Sequence, residues 1–346
     1  MDSSIVLFLV QDAIINGAIY ALVAVALLLV FAVTRVILVP QGEFVAFAAL
    51  TLAALQAGRA PATVWLLVVL GAITFLSVAW RGRRTFRLRQ YATAALANLG
   101  LPLALLLVAR AIAPLRLGLV ADIILTIALI APMGPMIYRL AFEPLAEASV
   151  LVLLIAAFGV HFSLTGLGLA FFGPEGVRTP ALIDANFPLG ELLVTGQSLA
   201  VIITTIVLLG ALGWFFRATL FGKALRACAS NRLGARLVGV STSLSGRIAF
   251  GVAALIGAVS GVLVGALSTI YYDSGFLIGL KGFIAAIIAG LVSYPLAGLA
   301  SLGVALLEAF SSFWASAYKE AIVFAAIIPV LVWRSLTAGH VEEEEE

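Results

Sequence analysis

The chain has 346 residues, of which 63% are hydrophobic and only 11% are charged, with a formal net charge of +3. An ordinary soluble domain carries about 25% charged residues, so this composition and the mean hydropathy of +1.20 exclude a water-soluble fold. The excess positive charge lies in short connections between apolar runs, which is typical of membrane orientation signals and not of nucleic-acid binding. The single cysteine, Cys228, excludes an internal disulfide and a cysteine-built zinc site, and we expect it to be a small buried residue.

Continuous apolar runs of about 20 residues predict membrane-spanning helices, because a β-barrel would instead alternate in polarity. The fold class is therefore predicted to be all-α, a polytopic transmembrane bundle of about ten spans. Residues 1–346 form one domain, and the first run is a span and not a signal peptide. The predicted spans are 9–33, 42–58, 62–80, 92–112, 119–138, 150–172, 195–216, 248–270, 278–292, 296–314 and 320–334.

Arginines predict the orientation of the bundle. The loop at 81–89 carries Arg81, Arg83, Arg84, Arg87 and Arg89, and the longer loop at 217–247 is also basic. Both loops are expected in the cytoplasm. This places the N-terminus outside and the C-terminus inside. The acidic tail at 341–346 is expected to be disordered and solvated.

The loop at 217–247 is the longest polar connection. Lys223 to Ser230 is rich in helix formers, Asn231 and Gly234 suit a turn, and a second short helix is expected to end at Gly239. Its small alanines would let another protein approach closely. The alternative is an amphipathic connector that lies on the lipid headgroups.

The same loop contains the pattern G-x-A-x-R-A-x-A-x-N-x-x-x-A-x-L-x-G, which resembles the coupling segment of permeases from branched-chain amino-acid ABC importers. The resemblance implies that this cytoplasmic segment docks into a groove on an ATPase. The residues that carry the pattern are Gly222, Ala224, Arg226, Ala227, Ala229, Asn231, Ala235, Leu237 and Gly239.

Other motifs follow the order of the same family. They are Asn16-Gly17 with Tyr20-Ala21-Leu22, Gly42-Glu43, Phe142-Glu143-Pro144-Leu145, Phe172-Gly173-Pro174 and Tyr318-Lys319-Glu320-Ala321. Four features depart from the family. Residues 60–137 form a longer segment, with roughly two added spans. Gln41 stands where the family has histidine, and Glu143 replaces a basic residue. The ending at 334–339 also differs from the family pattern.

The resemblance implies a permease subunit that imports branched-chain or related amino acids, although relatives of this family also carry urea, short amides or aromatic acids. No P-loop or hydrolase motif is present, so no catalytic residue and no enzyme activity is expected here. ATP and Mg²⁺ would bind to two partner ATPases, with no cofactor on this chain. The other implied partners are a second permease or another copy of this chain, an external substrate-binding protein and membrane lipid. The implied location is the bacterial inner membrane. The alternative is a secondary transporter or channel driven by an ion gradient, which should show intramembrane carboxylates.

Polar residues inside the predicted spans are candidates for the translocation path. Asn16 and Tyr20 lie four residues apart on one helix face, where they would line a path or hydrogen-bond between helices. Glu43 opens the second span, either as part of a gate or as an exposed N-terminal acid. His161 is expected to be buried and hydrogen-bonded, with no metal site. Glu308 is expected to pair across helices or to lie near the outer interface.

Glycines in the last third of the chain predict helix packing. Gly257, Gly261 and Gly265 form a stripe of small residues on which another helix can pack closely. Gly282, Gly290 and Pro295 are expected to break the following helices.

Overall fold

A computed structural model describes residues 3–83, 88–189 and 192–337 of the chain. The helices, in chain order, are α1 Ser3–Thr34, α2 Gln41–Gln56, α3 Thr63–Gly82, α4 Leu88–Ala95, α5 Leu101–Ile112, α6 Leu119–Ile130, α7 Met133–Ile137, α8 Val150–Phe172, α9 Gly196–Ala218, α10 Leu220–Ser230, α11 Arg232–Leu237, α12 Thr242–Val264, α13 Ser274–Ile288, α14 Tyr294–Trp314, α15 Lys319–Ala325 and α16 Ile327–Thr337. Two π-helical segments, Leu96–Gly100 and Tyr138–Phe142, continue the neighbouring helices. Short 3₁₀ turns lie at Ala113–Leu115, Glu143–Leu145 and Ser316–Tyr318.

The described residues contain eight helices that are long and apolar enough to cross a membrane. They are Ser4–Thr34, Thr63–Gly82, Leu88–Leu115, Leu119–Leu145, Val150–Phe172, Gly196–Ala218, Thr242–Val264 and Tyr294–Trp314. The predicted all-α polytopic bundle is confirmed, while the number of about ten spans stays a prediction, because α2 and α13 are shorter than the ~20 residues of a full span. The predictions for Arg84, Arg87 and the tail at 341–346 fall outside the described residues.

Helix α1 is the central element of the bundle. Its most apolar window is 78% buried inside the protein, whereas the window in Leu88–Leu115 is only 17% buried. Helices α12, α13 and α14 pack against α1, and α2 packs on α12 and α13. The outer helices α5, α8 and α9 leave apolar side chains exposed, as expected for surfaces that face lipid.

Helices α1 and α12 each begin six residues earlier than the predicted spans 9–33 and 248–270. Helix α1 starts at Ser3. In its early turns, Gln11 Nε2 donates to the Leu193 carbonyl oxygen at 3.1 Å. Leu193 belongs to an antiparallel hairpin of β1 Asn186–Leu189 and β2 Leu192–Thr195, which the sequence did not predict. Helix α12 starts at Thr242 and not at 248, because the Ser241 hydroxyl caps it by accepting from the Leu244 amide.

Helix α2 begins inside the bundle. Its first-turn residue Glu43 contacts His161, which lies at the midpoint of the 23-residue α8. Residues 35–40, which lead to this point, are not helical, although Val36 and Leu38 are fully buried. Such irregular backbone at membrane depth is found where the surrounding protein covers it.

Glycines allow α2 to approach two neighbouring helices. A Cβ at Gly42 would overlap the carbonyl oxygen of Gly275, so the first turns of α2 and α13 meet backbone to backbone. The stripe predicted on α12 packs against α2, since a Cβ at Gly261 would overlap the Val45 carbonyl and one at Gly257 would lie 2.7 Å from Phe44 Cβ. This confirms the predicted close packing.

The last third of the chain corrects one prediction. Gly282 does not break a helix, because it lies inside α13 and packs against Val23 of α1. Gly290 does follow the end of α13 with a φ of 74°, and Pro295 lies in the first turn of α14. The predicted span at 320–334 is divided into α15 and α16.

We predict that Gly42→Ala destabilises the purified protein. The new methyl group would overlap backbone atoms, which cannot rotate away, and overpacking costs about 1–3 kcal/mol or more. The readout is the temperature at which half of the protein in detergent is lost from the monodisperse peak in size-exclusion chromatography. Gly166→Ala in α8 is the matched control, because no atom lies within 4 Å of its Cβ position. Equal midpoints for the two variants would contradict the assigned contact.

Candidate functional site

The segment at 217–247 forms two short helices that are capped by side chains. Thr219 Oγ1 accepts from the Gly222 amide at 2.9 Å, and Asn231 Oδ1 accepts from the Gly234 amide at 2.8 Å. Asn231 therefore begins α11 instead of forming the predicted turn. The predicted end of the second helix at Gly239 agrees with the structure. Gly239 has a φ of 86°, and its amide and that of Val240 bond back to Arg236 and Ala235.

The inner face of these helices is attached to the bundle. Leu225, Cys228 and Ala235 are buried against Leu29 and Val33 of α1 and against Ala249 of α12. The expectation for Cys228 is confirmed, and its thiol lies 3.4 Å from the Ser245 hydroxyl. Gly222 is also buried, and it packs so closely that a Cβ there would overlap the Phe215 carbonyl.

The outer face carries most of the other residues of the predicted coupling pattern. Ala227 is half-buried, and the exposed members are Arg226, Ala229, Asn231, Leu237 and Gly239. Leu233, Leu237 and Val238 are 68%, 81% and 79% exposed, respectively. Of these three, only Leu237 belonged to the predicted set. Helix α11 therefore presents an apolar ridge away from the bundle.

The connection before α8 holds α11 from the side. Arg232 Nη1 donates to the Ala146 carbonyl at 3.0 Å, and Arg236 forms an ion pair with Glu147 at 2.8 Å. Both partners of the ion pair are exposed, so it contributes little stability. A cavity of about 470 Å³ lies between this connection, the end of α1 and α11.

A second feature is a partly buried cluster of charged side chains between helices. Lys281 Nζ on α13 donates to Glu308 on α14 at 2.5 Å and to Glu320 on α15 at 3.2 Å. The Tyr20 hydroxyl on α1 donates to the other Glu308 oxygen at 2.6 Å. The Lys281 side chain is only 8% exposed. The prediction that Glu308 pairs across helices is therefore confirmed. Four helices contribute to the cluster.

This cluster borders a cavity of about 340 Å³. Asn16 and Tyr20 both line it, so the structure brings together these two predicted residues of the translocation path. Three of its lining residues are charged, and the others are apolar and neutral polar side chains in equal number. The lining residues are Asn16, Ile19, Tyr20, Val264, Ser268, Thr269, Ile270, Ser274, Leu277, Ile278, Lys281, Glu308 and Lys319.

The third predicted path residue, Glu43, belongs to a different buried pair. Glu43 is 1% exposed, which excludes the exposed N-terminal acid. Its Oε1 lies 2.6 Å from His161 Nδ1, and the imidazole stacks on Phe276 with ring centroids 4.7 Å apart. The prediction that His161 is buried and hydrogen-bonded is confirmed. The other carboxylate oxygen, Oε2, has no hydrogen-bond partner among the described residues.

Sequence reasoning missed Lys281 and the partner of His161. Glu43 and His161 are separated by 118 positions, so no local spacing could indicate their contact. Lys281 did carry a signal, because it is a lone cation inside an apolar run and such residues mark functional sites. Within the described ranges, no three His, Cys, Asp or Glu side chains are placed to hold a metal ion.

Comparison with known proteins places most of the chain in one family. Residues 90–331 match the family model described as the permease component of branched-chain amino acid transport systems. The chain belongs to this permease family. The match contains α10 and α11 and also reaches into the segment at 60–137, but it does not include the motifs at 16–22 and 42–43.

Individual relatives support the same assignment. The permease is 33% identical over 207 residues to the high-affinity branched-chain amino acid transport system permease protein LivH of Escherichia coli K12, covering 58% of this chain and 67% of the relative. It is 32% identical over 209 residues to the corresponding protein BraD of Pseudomonas aeruginosa, covering 58% and 68%. No solved structure matches the permease.

We predict that Lys281→Met destabilises the permease more than the double variant Lys281→Met/Glu308→Gln. The single change leaves the Glu308 carboxylate without its cation, and breaking a buried pair costs about 3–5 kcal/mol, less where a cavity admits water. The double variant removes both charges. Unfolding midpoints in detergent measure the difference. If the loss of stability in the double variant equals the sum of the losses in Lys281→Met and Glu308→Gln alone, the two side chains are not energetically coupled.

Proposed function

We propose that this permease is the membrane subunit of an ATP-binding-cassette importer for branched-chain or related amino acids, located in the bacterial inner membrane. ATP and Mg²⁺ bind to two cytoplasmic ATPase subunits, and a second permease or another copy of this chain completes the membrane part. An external substrate-binding protein delivers the amino acid. The observation that carries this proposal is the two-sided segment formed by α10 and α11, with one face packed on the bundle and the other exposed.

The contacts of the inner face support a mechanical role for this segment. A docked ATPase that displaces α10 and α11 would move Leu29 and Val33 of α1 directly, because these residues pack against Leu225 and Ala235. Tyr20 lies nine positions before Leu29 on the same helix, or about 14 Å along its axis. The displacement therefore reaches the cavity that Tyr20 lines through a single rigid element.

Helix α12 offers a second connection. Its first turns carry Ala249, which packs against the short helices, and its glycine stripe contacts α2 beside Glu43. A movement of α12 is therefore transmitted to the Glu43–His161 pair. Both clusters of buried polar residues are connected to the exposed segment through continuous helices.

The chemistry of the cavity supports an amino-acid substrate. Lys281 supplies a cation for an α-carboxylate, and Glu308 supplies an anion for an α-ammonium group. Ile19, Leu277 and Ile278 supply apolar contacts for an aliphatic side chain. A zwitterion would exchange with the Lys281–Glu308 ion pair, so each charge keeps a partner when the substrate enters and when it leaves.

We predict that Arg226→Glu reduces co-purification with the partner ATPase and amino-acid uptake in vesicles by at least tenfold. The exposed guanidinium would be replaced by a charge of opposite sign, and juxtaposing like charges at an interface costs several kcal/mol. Gly239→Ala tests the same surface, because the φ of 86° disfavours a Cβ. Arg59→Glu, an exposed arginine beyond the end of α2, is the matched control. Undiminished ATPase association and uptake in the first two variants would exclude this docking role.

The buried acids Glu43 and Glu308 also suit the competing function, a secondary transporter driven by an ion gradient. Vesicles that contain the complete complex separate the two functions. Uptake that depends on internal ATP and persists with an ionophore supports the importer. Uptake that needs a gradient but no ATP supports the secondary transporter.

We predict that the cavity distinguishes ligands by the charges of their α-ammonium and α-carboxylate groups. Leucine, which carries both charges, should raise the unfolding midpoint of the purified permease at millimolar concentration, because a ligand that binds only the folded state stabilises it. Leucinamide and 4-methylpentanoate each lack one charge and should shift the midpoint much less. Tyr20→Phe should weaken the leucine effect, while Tyr271→Phe, on a half-exposed tyrosine, should not. Equal shifts from all three compounds would contradict zwitterion recognition.

A further inference from the structure

A basic cavity of about 600 Å³ lies away from both buried clusters, where the end of α3, helix α4 and the start of α12 meet. Three arginines from three separate elements line it. Arg81 comes from the last turn of α3, Arg139 from the π-helical segment and Arg247 from α12. The remaining lining residues are Val78, Gly82, Gln90, Thr93, Ala94, Ala97 and Glu143.

The described residues around this cavity neutralise only part of its positive charge. Of the ion pairs among those residues, none includes Arg81, Arg139 or Arg247. Arg139 donates to the neutral Asn98 amide oxygen at 3.1 Å, and Arg247 donates to the Ser243 hydroxyl at 3.0 Å. The single acid, Glu143, accepts from the same Ser243 hydroxyl. Three guanidiniums thus face one carboxylate.

The surroundings of the cavity place it at the membrane interface. Trp80, one position before Arg81, is 70% exposed, and the Arg83 guanidinium lies 4.4 Å from its ring centroid. Tryptophan collects at the level of the lipid headgroups. The apolar residues Val78, Ala94 and Ala97 line the cavity itself. In the same helical stretches, Leu76 and Leu96 are 65% and 72% exposed. Apolar surface therefore flanks the arginines on both α3 and the segment that follows α4.

We propose that this cavity binds the phosphate of an anionic phospholipid head group. Guanidinium forks match phosphate oxygens in a bidentate geometry, and basic pockets between helices on the cytoplasmic side of a membrane suit such head groups. A free phosphate ion shares this chemistry. The apolar lining residues Val78, Ala94 and Ala97 favour the lipid, because they provide surface for its acyl chains and contribute nothing to a free ion.

The bound lipid would lie next to the segment at 217–247. Glu143 and Ser243 connect the wall of the cavity to the first turn of α12, directly after α10 and α11. A phosphate that engages Arg247 therefore contacts the same helix that holds Ala249 against the short helices. The site does not depend on the substrate or on the energy source proposed above.

The test is native mass spectrometry of the purified permease with added phosphatidylglycerol or phosphatidylcholine. We expect at least tenfold tighter binding of phosphatidylglycerol, and about fivefold weaker binding for each arginine removed. Arg81→Gln and Arg247→Gln are the test variants. Arg110→Gln is the matched control. Arg110 lies over the Trp65 ring, at the start of α3, whereas the cavity lies at the end of α3.

Three results would overturn the proposal. They are equal affinity for the two lipids, unchanged phosphatidylglycerol binding in both test variants, and an equal loss in Arg110→Gln. Displacement of the lipid by inorganic phosphate at equal concentration would instead identify a free-anion site. Arg81 is exposed at a helix end, so Arg81→Gln stays informative even if Arg247→Gln fails to fold.

Discussion

The contact between Gly42 and Gly275 is the constraint on which the interior of this permease depends. It brings the first turns of α2 and α13 together with no side chain between them. Because α2 begins there, Glu43 lies at the midpoint of α8 and not at a membrane surface. A carboxylate at that depth needs a partner, and His161 supplies it. The positive end of the α2 dipole also favours the negative charge of Glu43 in the first turn.

The balance of charge inside the bundle follows the same physical requirement. Lys281 has two carboxylate neighbours, and Glu308 has a cation and a tyrosine hydroxyl. Each of these groups would be costly alone in a low-dielectric interior. The cluster is stable only while α1, α13, α14 and α15 hold their relative positions, which makes it sensitive to any rearrangement of those helices.

Hydropathy was sufficient to predict the helical membrane fold, because the runs are long and the charges are few. It placed the start of α12 six residues too late, since Thr242, Ser243 and Ser245 are polar, and the capping Ser241 was the better signal. The short helices of the segment at 217–247 were predictable from local composition. The Glu43–His161 contact was not, because it joins residues from helices that are distant in sequence and depends on where α2 begins. Lys281 was visible as a lone cation, yet its partners on α14 and α15 depend on packing that no local pattern encodes.

Helix α13 takes part in both buried clusters. Phe276 stacks on His161, and Lys281, five residues further along, pairs with Glu308. The two positions are about 7.5 Å apart along the helix axis, and they belong to one rigid element. A shift of α13 that separates Lys281 from Glu308 therefore also disturbs the imidazole beside Glu43. By thermodynamic linkage, whatever favours one arrangement at the first cluster favours the matching arrangement at the second by the same free energy. The two clusters are thus coupled through one helix, α13.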